Sequence, residues 1–131
     1  MSNFFTKTDL SRKDAESIIS ETLNNCDDGE LYLENSKSES IVLDDDKIKS
    51  SSYSSDLGYG LRAVTGEVVA YSHSNEISKK SLKQSASNLS STLKSQKGIY
   101  NHEIPKTNEK LYEDINPIEE KTLKSKLDLL K

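Results

Sequence analysis

The chain has 131 residues, a length that fits one domain, with 32% hydrophobic and 31% charged, so its core is small and its exterior well solvated. A net charge of −4 argues against nonspecific binding of a polyanion, and a single cysteine, Cys26, excludes an internal disulfide and points to a reducing compartment. No stretch approaches ~18 consecutive apolar residues and the N-terminus lacks the apolar run of a signal peptide, so no membrane span is expected and the expected address is the cytoplasm.

In chain order, Ala15, Ile18, Ile19 and Leu23 recur at helical spacing and predict a helix over 11–25. Ser11 caps it, and Asp14, three residues on, makes a weak capping box. Asn24, Asn25 and then Asp27-Asp28-Gly29 end it with turn chemistry. Leu31, Tyr32 and Leu33 open a strand that runs through Ser38; Ile41, Val42 and Leu43 either continue it or form its neighbour after a kink. Asp44-Asp45-Asp46 reads as a solvated turn, because the ligand ladder and closing glutamate of a calcium loop are both missing. Lys47-Ile48-Lys49 starts the next strand, and the serine-rich residues 50–55 read as a polar strand end or loop.

Leu57, Tyr59, Leu61 and Ala63 alternate with Gly58, Gly60, Arg62 and Val64, the period of a strand with one buried face. Thr65-Gly66 supplies a turn, and Val68 to Tyr71 return as the second arm of a hairpin over 57–72. Gly58 and Gly60 lie inside a strand, not between a strand and a helix, so they read as close backbone approach or a bulge and not as a phosphate cradle. Ser74 or Asn75 then caps a long helix over 77–97, with Glu76 in its first turn and Leu82, Ala86, Leu89 and Leu93 as its apolar stripe. Gly98 stops it. Residues 100–113, with Pro105, read as an extended surface segment. Asn116-Pro117 opens a last helix, in which Ile118, Leu123, Leu127 and Leu130 share a face and which reaches Lys131 without a stop signal; the cationic end reads either as a helix terminus or as a cut within a longer protein.

Chemistry is sparse. His73 and His102 lie in different settings, and neither a two-histidine zinc helix, a Cys/His ligand set nor a G-x-S-x-G elbow is present, so no catalytic and no metal residue is assigned. Two binding candidates stand out. His73 sits where a strand gives way to a helix; Arg62 projects from a strand beside glycines, to pair with Glu67 across the hairpin or to receive an anion such as a peptide carboxylate. Cys26 reads as a small filler near a helix end. The expected fold is α+β: a mainly antiparallel or mixed sheet of about four to five strands, with helices 11–25 and 77–97 on one face, plus a C-terminal helix.

The blocks Glu30-Leu31-Tyr32-Leu33, Glu39-Ser40-Ile41-Val42-Leu43-Asp44-Asp45, Gly58-Tyr59-Gly60-Leu61-Arg62-Ala63-Val64-Thr65-Gly66-Glu67 and Ala70-Tyr71-Ser72-His73-Ser74-Asn75-Glu76-Ile77-Ser78 together resemble the N-terminal domain of the TldD/PmbA family (peptidase U62, modulator of DNA gyrase), on its TldD-like side. The resemblance covers about 28–93 well. It implies a cytoplasmic zinc metallopeptidase acting on small or unfolded peptides, paired with a TldE/PmbA-like subunit or with itself. The family's metal motif, H-E-x-x-x-H with a later cysteine, is not in this sequence, so no catalytic or zinc residue carries over, and zinc is expected only of the full-length protein. Residues 1–98 are then expected to be the α+β N-terminal domain, and 99–131 an extended segment and helix start leading to a catalytic domain. Arg62 and His73 remain candidates for scaffolding or for lining a chamber. The competing expectation is a stand-alone interaction module without enzymatic activity. Direct nucleic-acid binding, suggested only by the family's older name, is disfavoured by the acidic balance.

Overall fold

The computed structural model describes residues 4–6, 8–94, 113 and 115–131. The expected stop at Gly98, nearly all of segment 100–113 and His102 lie outside the described residues. The elements are α1 (Arg12–Leu23), β1 (Asp28–Asp44), β2 (Lys47–Thr65), β3 (Val68–Ser74), α2 (Lys79–Leu93), α3 (Pro117–Glu120) and α4 (Leu123–Asp128). The strands form one sheet in the order β1-β2-β3. The chain divides into two compact units, residues 2–35 with 57–105, and residues 36–56 with 106–131.

The first unit holds the core. Ser11 caps α1 by accepting the Asp14 N–H at 3.0 Å, and its hydroxyl donates to Asp14 Oδ2 at 2.7 Å. Ala15, Ile18 and Leu23 are buried beneath it. Tyr59, Leu61, Ala63 and Thr65 are the buried face of β2, joined by Ala70 of β3 and by Leu82, Ala86, Leu89 and Leu93 of α2. Both long helices thus share one core with one face of the sheet. The antiparallel register of β2 and β3 pairs Tyr59 with Ser74, Leu61 with Ser72, Ala63 with Ala70 and Thr65 with Val68. The hairpin turn is Gly66-Glu67, one residue later than expected: Thr65 is a ladder residue, and Gly66, at φ +59°, takes the first central position, where only glycine is unstrained. The cap of α2 also moves. Ser78, not Ser74 or Asn75, accepts the Ser81 N–H at 3.0 Å, while Ser74 Oγ accepts the Glu76 N–H in a local turn before the helix.

Among the described residues the sheet has three strands, not four to five, and it is antiparallel. The difference is one of length. β1 runs 17 residues through both apolar clusters without a kink, and β2 runs 19 residues straight through the serine-rich stretch. Polar residues remain extended there because the neighbouring strand pairs with them, and exposure on both faces removes the alternation.

The second unit is the far part of the β1–β2 hairpin with the C-terminal helices. Asp45 and Asp46 turn the chain with φ 48° and 58°, the two positive values a type I′ turn requires. Glu39, Ile41 and Leu43 of β1 are half-buried, whereas residues 47–56 of β2 are exposed. The single expected last helix is two short ones. Lys121 is extended (φ −104°, ψ 134°), and Thr122 starts a new helix by accepting the Ser125 N–H at 3.2 Å. α4 ends at Asp128, ahead of Lys131, with the Leu129 N–H turned back onto Lys126 O. Ile118 and Leu123 therefore do not continue one helical stripe.

Candidate functional site

The sequence candidates Arg62 and His73 both lie on the solvent-facing side of the β2–β3 hairpin. In the register Arg62 stands opposite Tyr71, and Gly60 opposite His73, which makes Arg62 and His73 diagonal neighbours on one face. No hydrogen bond or ion pair joins them. Arg62 turns toward β1: its Nε donates to Glu30 Oε1 at 2.9 Å and its Nη2 to Asp28 Oδ2 at 3.1 Å. These two carboxylates, not Glu67 across the hairpin, hold the guanidinium, and the hydrogen bond to Glu30 above all raises its pKa further. The cation is half-exposed and doubly paired, so a second anion must displace a carboxylate to reach it.

His73 is exposed and its ring stacks on Tyr71, with centroids 5.8 Å apart and planes 25° apart. Tyr71 is itself 64% exposed. Its hydroxyl lies across Gly60, where an added Cβ would come within 2.6 Å of it. The glycine pair thus serves close packing within the sheet. At Gly58 a Cβ would sit 2.9 Å from the Ser74 carbonyl oxygen.

Two further groupings escaped the sequence reading. Tyr59 Oη lies 2.8 Å from both Ser81 Oγ and Ser85 Oγ, and Ser72 Oγ donates to Ser85 Oγ at 3.0 Å, a hydroxyl network between the sheet and α2. The strand period places Tyr59 on the inward face, but the serines of the long helix read as part of its polar face; Ser85 is buried and Ser81 half-buried beside the apolar stripe, and only packing aligns these hydroxyls. The second grouping joins α1 to α2. Lys79 Nζ donates to Asp14 Oδ1 at 2.7 Å, and the Lys79 backbone N–H donates to Asp9 Oδ1 at 3.0 Å. The ammonium of Lys79, then the Ser11 hydroxyl, holds the Asp14 carboxyl down at about 2. An open surface depression beside it is lined by Asp9, Lys79, Lys80, Lys83 and Gln84; Asp9 already occupies the start of the helix there.

The described residues do not fit a catalytic metal. Among them no group of three or more His, Cys, Asp or Glu is placed to hold an ion. Cys26 is buried and its thiol donates to Thr22 O at 3.7 Å. Among the described residues no helix is long and apolar enough to cross a membrane.

Comparison with known proteins decides the lineage. Residues 29–92 match the family model for PmbA/TldA metallopeptidase domain 1. The chain carries a PmbA/TldD first domain. The match spans the sheet of the core unit, the hairpin of the second unit and all but the last residue of α2. Similar full-length proteins include a metalloprotease TldD homolog of Buchnera aphidicola (subspecies Acyrthosiphon pisum), 36% identical over 105 residues that make up 79% of this chain and 22% of the relative. Another is a metalloprotease TldD homolog of Haemophilus influenzae, 34% identical over 112 residues, or 81% of this chain and 23% of the relative. A third, of Buchnera aphidicola (subspecies Schizaphis graminum), is 29% identical over 130 residues, 98% of this chain and 27% of the relative. The chain spans about a quarter of the length of these relatives. Set against the PmbA/TldD first domain, Arg62, His73 and both glycines fall within the matched residues.

Proposed function

We propose that this PmbA/TldD first domain is the non-catalytic N-terminal part of a TldD-like zinc metallopeptidase that degrades small or unfolded peptides in the cytoplasm. The observation that carries this reading is the pairing of a family match over residues 29–92 with a matched region whose polar side chains are tied to one another. Arg62 is spent on two carboxylates, His73 on a stacked ring and the inner hydroxyls on each other, which is the pattern of a scaffold. The zinc ligands and the peptide cleft then belong to the remainder of the subunit, and the partner is a TldE/PmbA-like subunit or a second copy. Peptide hydrolysis by the purified chain, with and without added zinc and with and without a chelator, tests the reading. No chelator-sensitive cleavage is expected; cleavage that zinc restores after chelation would overturn it. The fully exposed run of β2 over 47–56 favours a second reading, a stand-alone interaction module. Binding to a PmbA-like subunit, measured by light scattering of the mixture, supports the first reading; self-association without such binding supports the second.

A further inference from the structure

We infer that residues 115–131 form a strap held on the β1–β2 hairpin by charge, which high ionic strength releases. The two helices of this segment have 4 and 6 residues, and isolated helices below about 12 residues are marginal in water. Neither contains a fully buried residue; of their apolar side chains Ile118 and Leu127 are half-buried and Leu123 is exposed, so apolar packing holds them only in part. Two ion pairs join them to the hairpin. The Lys126 ammonium of α4 is bonded to the Glu39 carboxylate of β1 and, at 2.5 Å, to the Ile118 carbonyl of α3. Lys37 of β1 is bonded to Glu119 of α3. Lys126 thereby joins one strand and both helices through a single side chain.

The two ion pairs differ in shelter. The Lys126 and Glu39 side chains are only 18% and 22% exposed, whereas Lys37 and Glu119 are 31% and 56% exposed. Salt screens the outer pair first and the inner pair less, so release has two stages, with Lys126 as the fastening that persists. Loss of Lys126 strands a partly buried carboxylate at Glu39 and removes the bond that ties α3 to α4. Ionic strength, or a competing charged partner, then decides whether the segment lies on the hairpin.

Amide hydrogen exchange of the intact chain, at about 0.01 M and about 1 M salt, where the screening length falls from about 30 Å to about 3 Å, tests this. The expected results are faster exchange over 118–130 at high salt, with α2 unchanged. Lys126→Glu speeds that exchange about tenfold even at low salt. The double change Glu39→Lys with Lys126→Glu re-forms the ion pair to the strand but not the bond to the Ile118 carbonyl, so it recovers part of the protection, and Lys124→Glu, a charge change in the same helix at an exposed residue outside both ion pairs, leaves it intact. Exchange over 118–130 that ignores both salt and Lys126→Glu would overturn the strap. So would a loss that the charge swap does not reverse even in part, or one that Lys124→Glu reproduces.

Discussion

Gly58 and Gly60 look alike in sequence and differ in what surrounds them. A methyl group at Gly58 meets a backbone oxygen at 2.9 Å, which moves only with its strand. At Gly60 it meets the hydroxyl of Tyr71, the free end of an exposed side chain that swings aside. Gly58→Ala should therefore cost about 1–3 kcal/mol, as overpacking does, and Gly60→Ala less, because what stands in the way is the far end of one flexible side chain; urea unfolding of both variants checks the order. Thr65 is 1% exposed and its hydroxyl has no hydrogen-bond partner among the described residues. Thr65→Val is expected to stabilise by about 1 kcal/mol, the cost of a buried unpaired hydroxyl, in the same assay. The period of two made Tyr59, Leu61 and Ala63 legible as inward residues. The partner of Arg62 was not legible, because it depends on which residues of β1 lie alongside β2, and no local pattern states that. Asp28 and Glu30 do alternate outward with Leu31 and Leu33 inward, which is the signal that placed them on Arg62's face.

At the scale of elements, the contact between α1 and α2 carries a pH signature in the acid range. The Lys79 ammonium and then the Ser11 hydroxyl lower the Asp14 pKa to about 2, against about 3.9 in an unfolded chain. A depressed carboxyl stabilises the fold above its unfolded pKa and loses that contribution as pH falls through the folded one. Thermal melts from neutral pH downward should show part of the acid loss between about pH 4 and about pH 2. Asp14→Asn should flatten that limb and lower the melting temperature at neutral pH. The β1–β2 turn is a second handle. Asp45 and Asp46 both adopt positive φ, which asparagine and glycine tolerate better. Replacing the pair by Asn-Gly should stabilise the hairpin by about 0.5–1 kcal/mol, visible as a higher melting temperature. The helices were legible because their apolar stripes are long. The strand count was not: the serine-rich run of β2 has no alternation to read, and its extended state is imposed by the neighbouring strand. The break at Lys121 was equally hidden, since Thr122 can act as a cap or as a helical residue, and the apolar spacing of Ile118, Leu123 and Leu127 fits one helix as well as two.

For the molecule as a whole, fold and chemistry separate. The family was legible because its blocks coincide with the β2–β3 hairpin and the start of α2, where glycine placement and register leave little freedom. A metal site is not legible from local patterns because its ligands must converge from separate elements; among the described residues no group of three or more His, Cys, Asp or Glu does so. Zinc stoichiometry of the purified chain, measured by elemental analysis after equilibrium dialysis against zinc, bears on this most directly. The account predicts no retained zinc. One zinc per chain, lost on addition of a chelator, would place a metal centre in this chain and contradict it.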